Sequence, residues 1–199
     1  YKARGLRLRA PQHFGEDWNG RAGGDSDLGD PVYSIADGIV TWAYDVRAGW
    51  GNVVIVRHAY RDPATGQVKY CDALHGHLHQ IMVRVGQQVK RGQQVGTIGT
   101  AHGRYPAHLH FEIRKNLNIG YNQRGFPRDL SAYYSPSAFI SPRRKLTGAG
   151  RSTPVPINTF GTNAAASIVT GSDEDGSVVK PTSPKAKPSP GGQQPYKIK

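Results

Sequence analysis

Apolar residues in the first two-thirds of the chain alternate with polar ones or gather in short blocks, with no 3.6-residue helical spacing. Pro31 to Ala43 reads as two strand segments hinged at Asp37-Gly38. Asn52 to Arg57 is a compact apolar strand, and Arg61 to Gly66 is the turn leading to a strand that begins near Val68. Between Val83 and Gly99, glycines at 86, 92, 96 and 99 alternate with single Val or Ile residues. Each glycine permits the positive φ of a tight turn between very short strands. His108 to Ile113 is a further strand with clean alternation. The pattern predicts a mainly β fold, a compact antiparallel barrel-sandwich or two-sheet domain.

The pattern also sets domain limits. Residues 1–10 form a basic arm with a short alternation at Leu6 and Leu8, and residues 11–145 form the domain. The apolar pattern fades after Ser141, and residues 146–199 are a tail or linker rich in Pro, Ser and Lys. Such a composition buries too little apolar surface to fold alone.

Composition narrows the function classes. The chain has 199 residues, of which 37% are hydrophobic, with 25 Gly and 14 Pro. No apolar run approaches the roughly 18 residues of a membrane-spanning helix, so no membrane span is expected. The chain opens on Tyr1, with no charged start and apolar stretch like a signal peptide. A processed protein or an excised piece is therefore expected. Twenty-six Lys and Arg against 14 Asp and Glu give a net charge of +12, which attracts polyanions such as nucleic acid, anionic lipid or an acidic wall polymer. No nucleic-acid motif or dense aromatic and basic interleaving accompanies that charge, so nucleic acid is not expected as a partner. The single cysteine, Cys71, excludes an internal disulfide and reads as a buried apolar residue.

Chemistry concentrates in three clusters. His13-x-x-x-Asp17 offers an imidazole nitrogen and a carboxylate oxygen, both ordinary zinc ligands, and Gly15 places them on a loop or strand end. On an extended strand His108 and His110 share one face with Glu112, while Leu109 and Phe111 point into the core. His75, His77 and His79 likewise share one face if extended, with His75 and His79 as polar residues of a half-exposed strand. Glu112 reads as an acceptor that orients a histidine, with a general base as the other reading. Glu16 faces away from Asp17 as a solvated carboxylate. His58 and His102 read as structural, with His102 also able to line a cleft. Asn52 and Tyr105 are candidates for substrate contact.

Taken in order, His13-x-x-x-Asp17, His77-Leu78, the glycine-spaced segment and His108-Leu109-His110-Phe111-Glu112-Ile113 resemble the lysostaphin/LytM-type peptidases of family M23. The segments Gly29 to Val40, Gly49 to His58 and Val85 to Gly96 fit the same pattern, and the resemblance covers roughly His13 to Ile140. It implies the lysostaphin-type catalytic fold and a Zn²⁺ held by His13, Asp17 and His110. His77 and His108 would stand beside the water that such a zinc activates. The implied activity is zinc metalloendopeptidase hydrolysis of peptide bonds in peptidoglycan stem peptides or cross-bridges, outside the cytoplasm in periplasm, cell wall or medium. The basic surface would then concentrate the protein on an anionic cell wall.

Two departures from the family pattern stand out. His75 occupies a place where members often carry Tyr, and the hairpin around Arg61 to Lys69 is longer than a minimal member needs. Some relatives have lost ligands and act as binding regulators, whereas this chain keeps each one. The alternative is a zinc-retaining peptidoglycan-binding module that recruits or activates another wall hydrolase, for which the basic arm and Pro-rich tail would be connections. A phosphocarrier or lipoyl-like domain also uses glycine-spaced short strands but gives the His-x-x-x-Asp motif no role.

Overall fold

A computed structural model describes residues 13–47, 49–121, 130–145 and 155. The arm at 1–10 lies outside the described residues, as does the tail at 146–199 apart from Val155. Ten strands follow in order: β1 Glu16–Trp18, β2 Pro31–Tyr33, β3 Gly38–Asp45, β4 Asn52–Arg61, β5 Val68–Leu78, β6 Gln80–Ile81, β7 Gln88–Val89, β8 Gln94–Thr97, β9 Leu109–Arg114 and β10 Tyr133–Tyr134. A short helix, α1 at Pro136–Ile140, comes after them. Its entry is set by Pro136, whose fixed φ suits the first helical turn.

Two antiparallel sheets form, as the alternation predicts. The larger runs β1-β9-β5-β4-β3-β7, with β10 added on β9, and the smaller runs β2-β8-β6. Val40, Val54, Val56, Ala73, Phe111 and Ile113 of the large sheet pack against Val32 and Val95 of the small sheet and Ile98, which follows β8. Most are wholly excluded from solvent, and each buried Val or Ile contributes about 1.5–3 kcal/mol.

The glycine-spaced segment uses its glycines in two ways. Gly86 and Gly92 have φ of 81° and 76° and turn the chain, as expected. Gly96 and Gly99 lie outside the positive-φ region and instead allow close approach. A Cβ on Gly96 would lie 2.6 Å from the Gln80 carbonyl oxygen, and one on Gly99 would collide with the backbone of residues 77–79.

The other face of the large sheet is unusual in its polarity. Arg57, Asp72, Glu112 and Arg114 project from it, and all are buried. Cross-strand register explains the grouping, because Arg57 lies opposite Asp72 and Asp72 opposite Arg114. Arg57 holds Asp72 in a two-pronged pair at 2.6 and 2.7 Å. Arg114 Nε donates to Glu112 at 2.6 Å. The main-chain carbonyls of Leu117 and Gly120 accept further hydrogen bonds from Arg57 and Arg114, respectively. Buried charges persist only when paired and hydrogen-bonded in this way.

Candidate metal centre

Strand register builds the centre. Asp17 of β1 lies directly opposite His110 of β9, so the two side chains emerge on the same face although 93 residues separate them. Gly15 lets β1 come this close, since a Cβ there would meet the Phe111 carbonyl oxygen at 2.6 Å. Four residues before Asp17, His13 brings its Nε2 to 3.1 Å from Asp17 Oδ1. His110 Nδ1 approaches the same oxygen at 3.2 Å. Among the described residues, one nitrogen or oxygen from each of His13, Asp17 and His110 lies within 4.8 Å of the other two.

Hydrogen bonds behind these atoms fix their chemistry. His110 Nε2 donates to Glu112 Oε1 at 2.8 Å, so the His110 lone pair sits on Nδ1 and faces Asp17. A lone pair and a carboxylate oxygen 3.2 Å apart need a proton or a cation between them. Burial pushes the Asp17 carboxyl up, but hydrogen bonds and positive charge from His110 and His13 outweigh it and hold the group far below the usual carboxylate range. Burial likewise raises Glu112, and the Arg114 charge with the His110 hydrogen bond reverses that effect, bringing it to about 2. Glu112 is thus an ionised acceptor that orients His110, as its place in the strand suggested. The set of two imidazoles and one carboxylate suits zinc.

His77 and His108 stand beside this trio. Their rings are 4.8 Å apart, and the His77 ring is 5.3 Å from that of His110. His108 Nε2 lies 3.7 Å from Asp17 Oδ1, while its Nδ1 donates to the Pro106 carbonyl at 2.8 Å. His77 Nδ1 donates to the Trp50 carbonyl at 3.3 Å. Burial, with the positive fields of His110 and His108, lowers the His77 pKa well below its ordinary value, so its ring is neutral at pH 7. In both rings the free Nε2 lone pair is left to accept a proton.

The expectation that His75, His77 and His79 share a face is not met. His77 has φ of 61°, and this left-handed residue breaks the alternation beside Gly76. His77 therefore turns to the side of His110, whereas His75 packs into the inter-sheet core against Phe111 with ring centres 5.0 Å apart. His75 is 1% exposed, so it is not half-exposed as expected, and His79 is exposed.

Other readings also resolve. Glu16 does face away from Asp17, but it is buried rather than solvated. It accepts hydrogen bonds from Trp18, Ser135 and Ser137, and so ties β1 to the start of α1. The Asn52 amide nitrogen donates to the Leu78 and His79 carbonyls and so braces the end of β5. His58 is buried with Nδ1 on the Asp37 carbonyl, and exposed His102 pairs with Asp45 at 2.9 Å. Cys71 is buried, which drives its thiol up to about 12. Tyr105 lines the cluster, its ring centre 5.0 Å from His77. Trp50 escaped the sequence reading. Its ring stands edge-on to His110 at 5.3 Å and its carbonyl positions His77, and only the flanking Gly49 and Gly51 hinted at a special place.

Comparison with known proteins places the chain in a family. It is 36% identical over 110 residues to cell division protein DipM of Caulobacter vibrioides, covering 55% of this chain and 14% of that protein. It is 37% identical over 98 residues to murein hydrolase activator EnvC of Escherichia coli, covering 49% and 21%. For murein hydrolase activator NlpD of Escherichia coli the identity is 34% over 103 residues, covering 51% and 24%. The chain thus spans about a quarter or less of these relatives' length. Among solved structures, the catalytic domain of the antimicrobial peptidase lysostaphin from Staphylococcus simulans matches with TM-score 0.46 and 23% identity, over 71% of this chain and 90% of that one. Residues 12–119, more than half of the chain, match the sequence profile of peptidase family M23, and the chain belongs to that family.

Proposed function

We propose that this chain is a zinc metalloendopeptidase domain that hydrolyses peptide bonds in peptidoglycan stem peptides or cross-bridges. His13, Asp17 and His110 are the zinc ligands in this reading, and His77 and His108 handle the proton. The observation that carries it is the convergence of the first three side chains with two neutral-capable imidazoles alongside.

Bound there, zinc supplies Lewis acidity and a water whose pKa falls to about 7. Glu112 keeps the proton of His110 on Nε2, so that Nδ1 stays available as a ligand atom. The Trp50 and Pro106 carbonyls do the same for His77 and His108, leaving Nε2 of each to take the proton of the attacking water. Once protonated, either ring can donate to the oxyanion and then to the leaving amine. The Asp17 carboxylate, ionised at any physiological pH, steadies that transient imidazolium on His108 from 3.7 Å.

Curated relatives named as murein hydrolase activators support a second reading, a zinc-retaining module that binds the wall and activates another hydrolase. One experiment separates the two. Zinc-loaded protein is incubated with purified sacculi of chemically distinct cross-link types, and soluble fragments are analysed by mass spectrometry. The peptidase reading expects new peptide termini at one bond type. Co-sedimentation with every sacculus and release of fragments from none would replace it with the activator reading. Either role places the protein at the cell wall, outside the cytoplasm, where its net charge of +12 favours adsorption to anionic polymers.

A further inference from the structure

Aromatic rings gather on the face of the large sheet that carries the candidate metal centre, two strands beyond β5. Trp42 and Tyr44 lie opposite Ile55 and Val53 of β4 and, at alternate positions of β3, project from the same face. Their ring centres are 4.8 Å apart at 67°, and the Tyr121 ring lies 5.5 Å from that of Trp42. Trp42 is half-buried against the cluster of Trp50, Val53 and Ile55, and Tyr121 is buried. Tyr44, by contrast, is 47% exposed. An exposed ring braced by packed neighbours is already in place for a ligand, so little side-chain freedom is lost on binding.

Strand order sets the distance of this ring from the centre. His110 is on β9 and Tyr44 on β3, and the order β9-β5-β4-β3 puts three strand spacings between them. At about 4.8 Å each, these amount to roughly 14 Å across the sheet. A peptidoglycan stem peptide hangs from a strand of N-acetylated amino sugars, and about four extended residues span about 13–14 Å. A stem whose cross-link lies at the metal centre and whose chain crosses the strands therefore brings its sugar to Tyr44. The chemistry also matches. A pyranose ring presents C–H groups on its faces and polar groups at its rim, and a tyrosine pairs an apolar ring with a wet hydroxyl.

We propose that Tyr44, braced by Trp42, is a stacking site for an amino sugar of the glycan strand, occupied while the attached stem peptide reaches the candidate metal centre. This deepens the proposed function and rests on it for the choice of ligand. The domain then reads the sugar and the peptide together, and a stem peptide stripped of its sugar is a poorer ligand than one that keeps it.

The test uses the full zinc-loaded chain, labelled with ¹⁵N at tryptophan and titrated with chitotetraose, a neutral oligomer of N-acetylglucosamine, while the indole signals are followed by NMR. The expected result is a saturable shift at Trp42 and none at Trp18, which packs on Phe111 on the opposite face of the sheet. Tyr44→Ala should weaken binding at least about tenfold, and Tyr44→Phe should keep it within about twofold. A stem tetrapeptide carrying its disaccharide should bind at least about tenfold tighter than the bare tetrapeptide, a difference that vanishes in Tyr44→Ala. No saturable shift at Trp42, unchanged affinity in Tyr44→Ala, or equal affinity for the two stem peptides would overturn the proposal. None of these readouts involves hydrolysis. Fragment release from sacculi without sugar binding removes the stacking site alone, and sugar binding without fragment release removes the peptidase reading alone.

Discussion

The two faces of β9 are built from one short strand and could hardly differ more. Leu109, Phe111 and Ile113 enter an apolar core, while His110, Glu112 and Arg114 enter a buried polar network that ends in the candidate metal centre. All six residues are buried. The core face is held by shape and exclusion of water, which tolerate small changes of volume. On the polar face each group depends on a particular partner, and losing one strands another. The comparison teaches that burial alone does not identify a core. Half of this strand's buried residues form a polar network behind the candidate metal centre.

The contrast is broken most severely at its polar end. His110→Ala should reduce bound zinc, measured by atomic absorption, from about one equivalent to near zero and remove turnover with it. His108→Ala should keep the metal and lower kcat by about 10²–10⁴-fold. Normal turnover in either variant would refute the roles given to these histidines. One step deeper, Arg114→Met removes the guanidinium charge that offsets the buried Glu112 carboxylate. A loss of about 3–5 kcal/mol is expected in urea denaturation, partly restored by adding Glu112→Gln. A loss below about 1 kcal/mol would mean that the network is not what supports this face.

Acid probes the core face instead. Burial lowers the His58 and His75 pKa values to about 4 and about 3, against 6.5 in an unfolded chain. The folded state keeps both rings neutral, so between pH 6.5 and about 4 the unfolded state binds more protons and stability falls as pH falls. Each histidine contributes a slope of up to about 1.4 kcal/mol per pH unit. Denaturation midpoints that stay level from pH 7 to 4.5 would contradict this. The smallest effect belongs to Ile113→Val, where the loss of one buried methylene should cost about 0.5–1.5 kcal/mol and leave zinc content untouched.

Much of this was legible before any coordinates. Period-two alternation gave the strands, and for His108 and His110 it also gave the shared face, because β9 is regular. Reading failed where the backbone departs from regularity. The positive φ at His77 turns one histidine out of register with its neighbours, and no side-chain pattern encodes that turn. Glu16 was misjudged because its partners, Ser135 and Ser137, lie more than a hundred residues downstream. A carboxylate beside a motif looks solvated until the chain that covers it is known. The buried Arg57–Asp72 pair was invisible for the same reason, since neither residue carries a motif of its own.

The pairing of Asp17 with His110 ties the centre to an edge of the sheet. β1 is only three residues long and occupies an edge, held by its ladder on β9, the Glu16 anchor and the packing of Trp18 on Phe111. A cation held by Asp17 and His110, as proposed, would act as a clasp across that seam. Removing it would loosen the seam first and leave the central strands intact, so metal supply would govern the integrity of one margin of the molecule as well as its chemistry.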